Sequence, residues 1–405
     1  MSKESVYILK RIIKAKIQSI PFYICRIFPI DKKKIVFCCI EGTTGYSCNP
    51  KYIAEECIRR NQKKLTDFKL VWLVNDMTKS FPQEIKVVKN TLWNRAYQLT
   101  TARIWIDNSR KQLEVRKRKN QVYIQTWHAK LGFKPTGLDR GKSFSEIAYM
   151  VSKHDSDMVD YWLSNSDWYD KTLKTGSLYE GKTLRTGSPR CDILVNRSDV
   201  DKQRIHCKFN MSDNVKILMY APTFRGGSQG INREIETGNH MPDFSLLLKS
   251  LEKKFGGEWY ILLRLHPQLT ARHINSGVFN NRLIDISNED DMYEILAGCD
   301  AFMTDYSSAA FDAMVMKIPV FLYCDDYEEY ESERGKLLWN LKDLPFVFCG
   351  RNIELDDKIK NFNTKSYILK LNEMLKRENV LEDGIASVKV TDFIKKIIYK
   401  DEEKS

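Results

Sequence analysis

Short, almost unbroken apolar runs recur along this chain and constrain its fold more than any other feature. "KIVFCCIEG" (34–42), "FKLVWLVN" (68–75), "IKVVKN" (85–90), "RIWIDN" (103–108) and "VYIQTWH" (122–128) are each a few residues long and rich in Val, Ile or aromatics. Such runs suit strands of a parallel sheet buried on both faces. Between the first two, "NPKYIAEECIRRN" (49–61) has helical periodicity, giving a β-α-β alternation. A polar stretch from Asn196 to Asn214 interrupts the pattern. It resumes with "VKILMYAPTF", "WYILLRLHP", "RLIDIS", "AFMTDYS" and "PVFLY", with "FSLLLKSLEKKF" and "MYEILAGC" as intervening helices. At 405 residues the chain is too long for one compact core. The expected class is α/β, in two halves spanning 31–195 and 196–405, preceded by a distinct segment 1–30.

That first segment differs in kind. In "VYILKRIIKAKIQSIPFYICRIF", Ile8, Leu9, Ile12, Ile13 and Ile17 recur at helical spacing with Lys10, Arg11, Lys14 and Lys16 between them. The pattern suits a helix lying on an anionic membrane surface. It also suits a terminal helix docked on the protein's own core. Charges break every apolar run before the ~20 residues that spanning requires. The formal charge of +12 permits nucleic acid, an anionic membrane or a polyanionic substrate as partner. The basic run "RKQLEVRKRK" (110–119) lacks interleaved aromatics, so it reads as a solvated or membrane-facing loop, and no nucleic-acid partner is expected. Ten cysteines without a CxxC point to reduced thiols in a cytosolic protein and to no zinc site. The N-terminus lacks the compact apolar core and small-residue cleavage site of a secretory leader.

In doubly wound folds ligands sit at the carboxyl ends of the strands. There this chain places His128, the stretch Gly187-Ser188-Pro189-Arg190, Pro222-Thr223-Phe224-Arg225, Arg264-Leu265-His266, and Thr304-Asp305-Tyr306-Ser307-Ser308. A strand ending at Met303 and a helix starting near Ser308 put Ser307 or Ser308 at an N-cap, with hydroxyls and backbone N–H groups available to a phosphate. The bland reading of that segment is a plain helix cap. Arg190, Arg225 and Arg264 supply fixed charge suited to phosphate oxygens. His128 and His266, two of six histidines, follow strands in different halves. One could take a proton from an attacking hydroxyl while the other steadies a phosphoryl charge. No P-loop, GxGxxG, HExxH or GxSxG motif is present.

Together, "QTWHAKLGFKPTGLD", "GSPRCDIL", "ILMYAPTFRG", "LLRLHP", "DISNEDDMYEILAGCDAFMTDYSSAAFDAMVMKIPVFLY" and "YEEYESERG" resemble, in order, the CDP-glycerol glycerophosphotransferases of teichoic-acid and capsule synthesis. The resemblance covers about Tyr123 to Gly335, and more faintly Asn49-Pro50. It implies a GT-B architecture of two Rossmann-like domains with the site in the cleft between them, and a basic membrane-associating N-terminus on the cytoplasmic face. It implies His128 and His266 as the functional histidines. It implies donor contacts at Arg190, Pro222, Thr223, Arg264, His266, Asp305, Ser307, Ser308 and Asp312, to which their strand-end positions add Arg225 and Thr304, with no metal ligand and no cofactor; Mg²⁺ dependence is not fixed. The activity implied is transfer of glycerol phosphate or ribitol phosphate from a CDP-activated donor to a lipid-linked polyol-phosphate or glycan acceptor, releasing CMP. The rivals are a GT-B glycosyltransferase using a nucleotide sugar and a non-catalytic polyanion-binding module. One departure stands out. Where the family has H-G-T-P-L-K, this chain has His128-Ala129-Lys130-Leu131-Gly132-Phe133-Lys134.

Overall fold

The computed structural model describes residues 3–223, 240–265 and 281–399. They form two compact units. The first comprises residues 1–130, 136–192 and the chain from Val380 onward; the second comprises 131–135 and 193–379.

In the first unit seven strands, β1 (Asp31–Cys38), β2 (Lys69–Val74), β3 (Ile85–Lys89), β4 (Ala102–Asp107), β5 (Val122–Gln125), β6 (Tyr161–Ser164) and β7 (Lys182–Arg185), line up as β3-β2-β1-β4-β5-β6-β7. All neighbours are parallel. The unbroken apolar runs have a direct cause in the period-two geometry of a strand. Ile35 and Phe37 of β1 pack with Ile53, Ala54 and Cys57 of the helix Cys48–Gln62 and with Val390 and Ile394 of the helix Ala386–Tyr399. Val36 and Cys38 pack on the opposite face with Ala96 and Leu99 of the helix Leu92–Thr101. Both faces are covered, so both phases of the strand are apolar.

The second unit repeats the plan with β8 (Lys216–Tyr220), β9 (Trp259–Leu263), β10 (Leu283–Asp285), β11 (Ala301–Thr304), β12 (Val320–Tyr323) and β13 (Val347–Cys349), in the order β10-β9-β8-β11-β12-β13. Its strands are also parallel. Leu218, Tyr220, Ile261 and Met303 meet Leu247, Leu248 and Leu251 of the helix Phe244–Phe255. Asp243 caps that helix, accepting from Leu246 N–H at 3.0 Å. In each sheet the strand order reverses beside its first strand, between β1 and β4 and between β8 and β11. In doubly wound folds such switch points are where ligands bind, at the carboxyl edge.

Several expectations need correction. β6 and β13 carry no readable strand pattern, because "YWLS" and "VFC" are too short to show one, whereas β7 is the strand expected just before Gly187. The boundary expected at 195/196 falls at 192/193, and the second half does not run to 405: from Val380 the chain belongs to the first unit. There Asp192 caps the helix Ala386–Tyr399, accepting from the N–H groups of Ala386 (2.9 Å) and Ser387 (2.7 Å), while Arg60 pairs with Asp392 at 2.7 Å. The run 110–119 is no solvated loop. Lys111 is buried and paired with Asp107, Lys117 with Asp160, and Glu114 with Arg95 at 2.7 Å.

The N-terminal helix Lys3–Gln18 buries one side and exposes the other. Ile8 and Ala15 are buried, and Phe22 and Cys25 just beyond enter the core of the first unit. Leu9, Ile13, Ile17, Ile20, Tyr23, Ile24 and Ile27 remain exposed. Among the described residues no helix is long and apolar enough to cross a membrane.

Candidate active site

In the first unit, β5 ends at Gln125 and the chain turns sharply through Trp127 to His128. The His128 Nδ1 lies 2.9 Å from the carbonyl of Asn108, just beyond β4. A carbonyl only accepts, so Nδ1 carries the proton and the neutral ring keeps its Nε2 lone pair for a substrate proton. Desolvation in this partly buried position pushes the imidazole down to about 4, and the charges of Arg190, Arg110 and Lys130 act in the same direction; the Asn108 carbonyl opposes them. His128 is therefore neutral at physiological pH. The Trp127 indole stacks on it with centroids 4.6 Å apart, and the Arg110 guanidinium sits 4.9 Å from the indole. Arg190, also buried, lies in the turn Pro189–Cys191 with Nη1 3.4 Å from Cys48 Sγ. The switch point is wired across its two strands: Asn108 Oδ1 accepts from Ile40 N–H at 2.7 Å and Ser109 Oγ from Glu41 N–H at 2.9 Å.

In the second unit the row Thr304 to Ser308 separates by function. Thr304 is fully buried and donates to the Ala221 carbonyl at 2.6 Å, tying β11 to β8. Asp305, also buried, accepts from the Thr223 N–H at 2.9 Å and from its hydroxyl at 3.0 Å, and so fixes the Ala221-Pro222-Thr223 turn. Tyr306 is core, stacked on Tyr330 at 3.8 Å and donating to Asp326 at 2.8 Å. Only Ser307 and Ser308 keep partial exposure. Ser307 Oγ accepts from Ala309 N–H at 3.3 Å, whereas Ser308 makes no capping bond. The helix that follows is shorter than expected, Ala309–Ala313, and continues only as a 3-10 turn through Met316, so its dipole is weak. Asp312 is buried and accepts from the Tyr293 hydroxyl at 2.6 Å. Arg264 spends Nη1 on the carbonyls of Ile286 (3.1 Å) and Glu289 (2.7 Å). Its Nε and Nη2 make no hydrogen bond among the described residues.

Thus in the second unit hydrogen bonds join Thr304 and Asp305 to the Ala221-Pro222-Thr223 turn, Arg264 follows β9, Ser307 and Ser308 follow β11 and Asp312 lies in the helix beyond, while the first unit holds His128 and Arg190. Arg225 and His266 lie outside the described residues. Asn108, Arg110 and Asn49 were not named as site residues from the sequence, although Asn108 closes the run "RIWIDN" and follows its strand directly. Also unread were His240, Asp325 and Asp326, whose ligand-type atoms lie within 4.8 Å of one another, with His240 Nδ1 3.1 Å from Asp325 Oδ1. The departing loop after His128 has a structural use. Lys130 is buried and donates to the carbonyls of Thr126 (2.6 Å) and Leu163, bracing β5 and β6. Phe133 is buried in the second unit against Phe311, centroids 4.7 Å apart.

The chain is thus built of two doubly wound α/β units, with a neutral histidine beyond a strand end of the first and an arginine and two part-exposed hydroxyls beyond strand ends of the second. The family described as CDP-glycerol:poly(glycerophosphate) glycerophosphotransferase matches residues 20–396, and the chain belongs to it. It is 28% identical to the teichoic acid poly(glycerol phosphate) polymerase of Staphylococcus epidermidis over 91% of this chain, but spans only 51% of that protein. It is 27% identical to the teichoic acid glycerol-phosphate transferase of Staphylococcus aureus, over 86% of this chain and 90% of the relative. The solved wall teichoic acid polymerase TagF superposes with a TM-score of 0.79 at 27% identity, covering 98% of both chains. A variant of TagF soaked with CDPG superposes equally well.

Proposed function

We propose that this chain transfers a polyol phosphate, glycerol phosphate or ribitol phosphate, from a CDP-activated donor to a hydroxyl of a teichoic-acid or capsule acceptor, releasing CMP. The observation that carries the reading is His128: a neutral imidazole with Nδ1–H committed to a carbonyl and Nε2 left to accept a proton. In the proposed step Nε2 takes the proton of the acceptor hydroxyl as its oxygen attacks the β-phosphorus of the donor. The bond from that phosphorus to the bridging oxygen breaks, and the electron pair leaves with CMP. A phosphate leaving group needs little acid catalysis, so positioning and electrostatic stabilisation supply most of the rate. Arg264 and the exposed hydroxyls of Ser307 and Ser308 would hold the diphosphate. Asp305 and Thr304 act one step back, by fixing the turn at Thr223. His266 remains a proposed partner on the strength of its motif alone.

We place the reaction at a membrane whose lipid carries the acceptor. The exposed stripe Leu9, Ile13, Ile17, Ile20 and Ile24, flanked by Lys10, Lys14 and Lys16, suits the interface of an anionic bilayer. Both glycerol-phosphate and ribitol-phosphate enzymes occur among the relatives, so both donors enter the test. Purified protein is incubated with acceptor lipid and, separately, labelled CDP-glycerol, CDP-ribitol and UDP-sugars. Label entering polymer from one of the CDP-polyols, with CMP released, is expected. Label entering only from a UDP-sugar would transfer the chain to the glycosyltransferases.

A further inference from the structure

Trp127 has φ +49°, a left-handed conformation that a bulky residue adopts only when its surroundings impose it. Those surroundings are visible on both sides of the residue. Its N–H donates to Gln125 Oε1 at 3.0 Å. Its carbonyl accepts from Asn49 Nδ2 at 2.6 Å, and the same Nδ2 lies 3.5 Å from the Thr126 carbonyl. The other end of the Asn49 amide, Oδ1, accepts from the Arg190 N–H at 3.1 Å. Asn49 is 1% exposed and sits in the first turn of the helix Cys48–Gln62, directly before Pro50. Carbonyls face its nitrogen and an N–H faces its oxygen, so the orientation of the amide is dictated by its partners.

We infer that Asn49 is a positioning residue for His128: one buried amide from a third chain segment locks the strained turn that aims the imidazole and, at its other end, sets the turn that carries Arg190. Only an amide of this length offers a donor and an acceptor in one plane here. Asp cannot donate, and a buried Trp127 carbonyl without a partner would let the turn relax toward ordinary φ. His128 would then leave the Asn108 carbonyl and enter a wetter environment. The inference rests on the reading of His128 as the proton acceptor, and its test includes a readout independent of that reading.

The experiment uses the full chain with Asn49→Ala and with Asn49→Asp, which keeps the size and the acceptor for the Arg190 N–H but loses the donors. Melting curves establish which variants are folded. The C2–H resonance of His128, assigned by its absence in His128→Gln, is then titrated by NMR. In wild type it is expected to titrate near 4; in a folded Asn49 variant the midpoint is expected to rise toward 6.5 as the burial beside Arg190, Arg110 and Lys130 is relaxed. With CDP-polyol and acceptor, kcat is expected to fall about 100-fold, as for a misplacement on the order of 1 Å, while the donor KM stays within about threefold. A folded variant whose His128 titrates as in wild type, or whose kcat is unchanged, overturns the inference. A moved titration in a protein whose wild type turns over no CDP-polyol refutes the proposed function and upholds the clamp.

Discussion

Acidification offers a sharp test of the His128 environment. The free imidazole ordinarily titrates at 6.5, and here burial first and then the Arg190, Arg110 and Lys130 charges hold it down to about 4. At pH 5 a group titrating at 4 is about 90% neutral, whereas one at 6.5 is about 3% neutral, a roughly 30-fold difference in competent enzyme. The assay is kcat/KM for CMP release between pH 4.5 and 8, since that ratio reports groups of the free enzyme. It should stay nearly flat from pH 8 to 5 and fall only below. The limb in kcat should lie higher, because a bound phosphate places negative charge near the imidazole and favours its protonated form. His128→Gln should abolish the acid limb. Stability follows the same titration. The folded value lies below the unfolded one, so stability is fully present above about pH 6.5 and is lost as pH falls toward 4, by at most about 3 kcal/mol. An acid limb in kcat/KM centred near 6.5, or one that persists in His128→Gln, would refute the reasoning.

Other predictions follow from particular contacts. Asp155, in the helix Glu146–Met158, is buried, and desolvation pushes its carboxyl up to about 7; it accepts from the Lys111 N–H at 2.8 Å and the Tyr123 hydroxyl at 3.1 Å. Its folded value exceeds the unfolded one, so the sign is opposite: stability is lost as pH rises from about 4 through 7, by at most about 4 kcal/mol, and Asp155→Asn should melt with a smaller decline between pH 5 and 8. Asp305→Ala removes the acceptor of the Thr223 N–H and hydroxyl; donor affinity measured by calorimetry should weaken about tenfold, and an unchanged affinity would detach that turn from the donor site. Ile13→Asp with Ile17→Asp should reduce sedimentation with anionic vesicles at least tenfold while leaving the melting curve intact, because both side chains are exposed. Asp192→Ala uncaps the helix Ala386–Tyr399 and should cost about 1–2 kcal/mol in denaturant unfolding.

The strands that read clearly from sequence are the central ones, β1, β2, β4, β8 and β11, where coverage on both faces leaves an unbroken apolar string. The ones that escape, β6 and β13, are only four and three residues long and carry no period, and β13 is in addition a half-exposed edge strand. The return of the last helix to the first unit was invisible for a different reason. It is set by Asp192 and Arg60 meeting residues about two hundred and three hundred positions later, and nothing local encodes such a pairing. At the site, His128 was legible because it follows a strand. The hydroxyl row was legible as a cluster but not in its division of labour, since burial alone decides that Thr304 and Asp305 brace the sheet while Ser307 and Ser308 face outward. Asn49 escaped because its partners, Trp127 and Arg190, are brought to it only by the assembled sheet.

The most direct measurement compares His128→Gln with wild type in single-turnover CMP release, alongside calorimetric affinity for the CDP-polyol that wild type accepts. Loss of the proton acceptor should slow release by about two to four orders of magnitude while donor affinity stays within about threefold. Release at the wild-type rate, or a loss confined to donor affinity, would contradict the account.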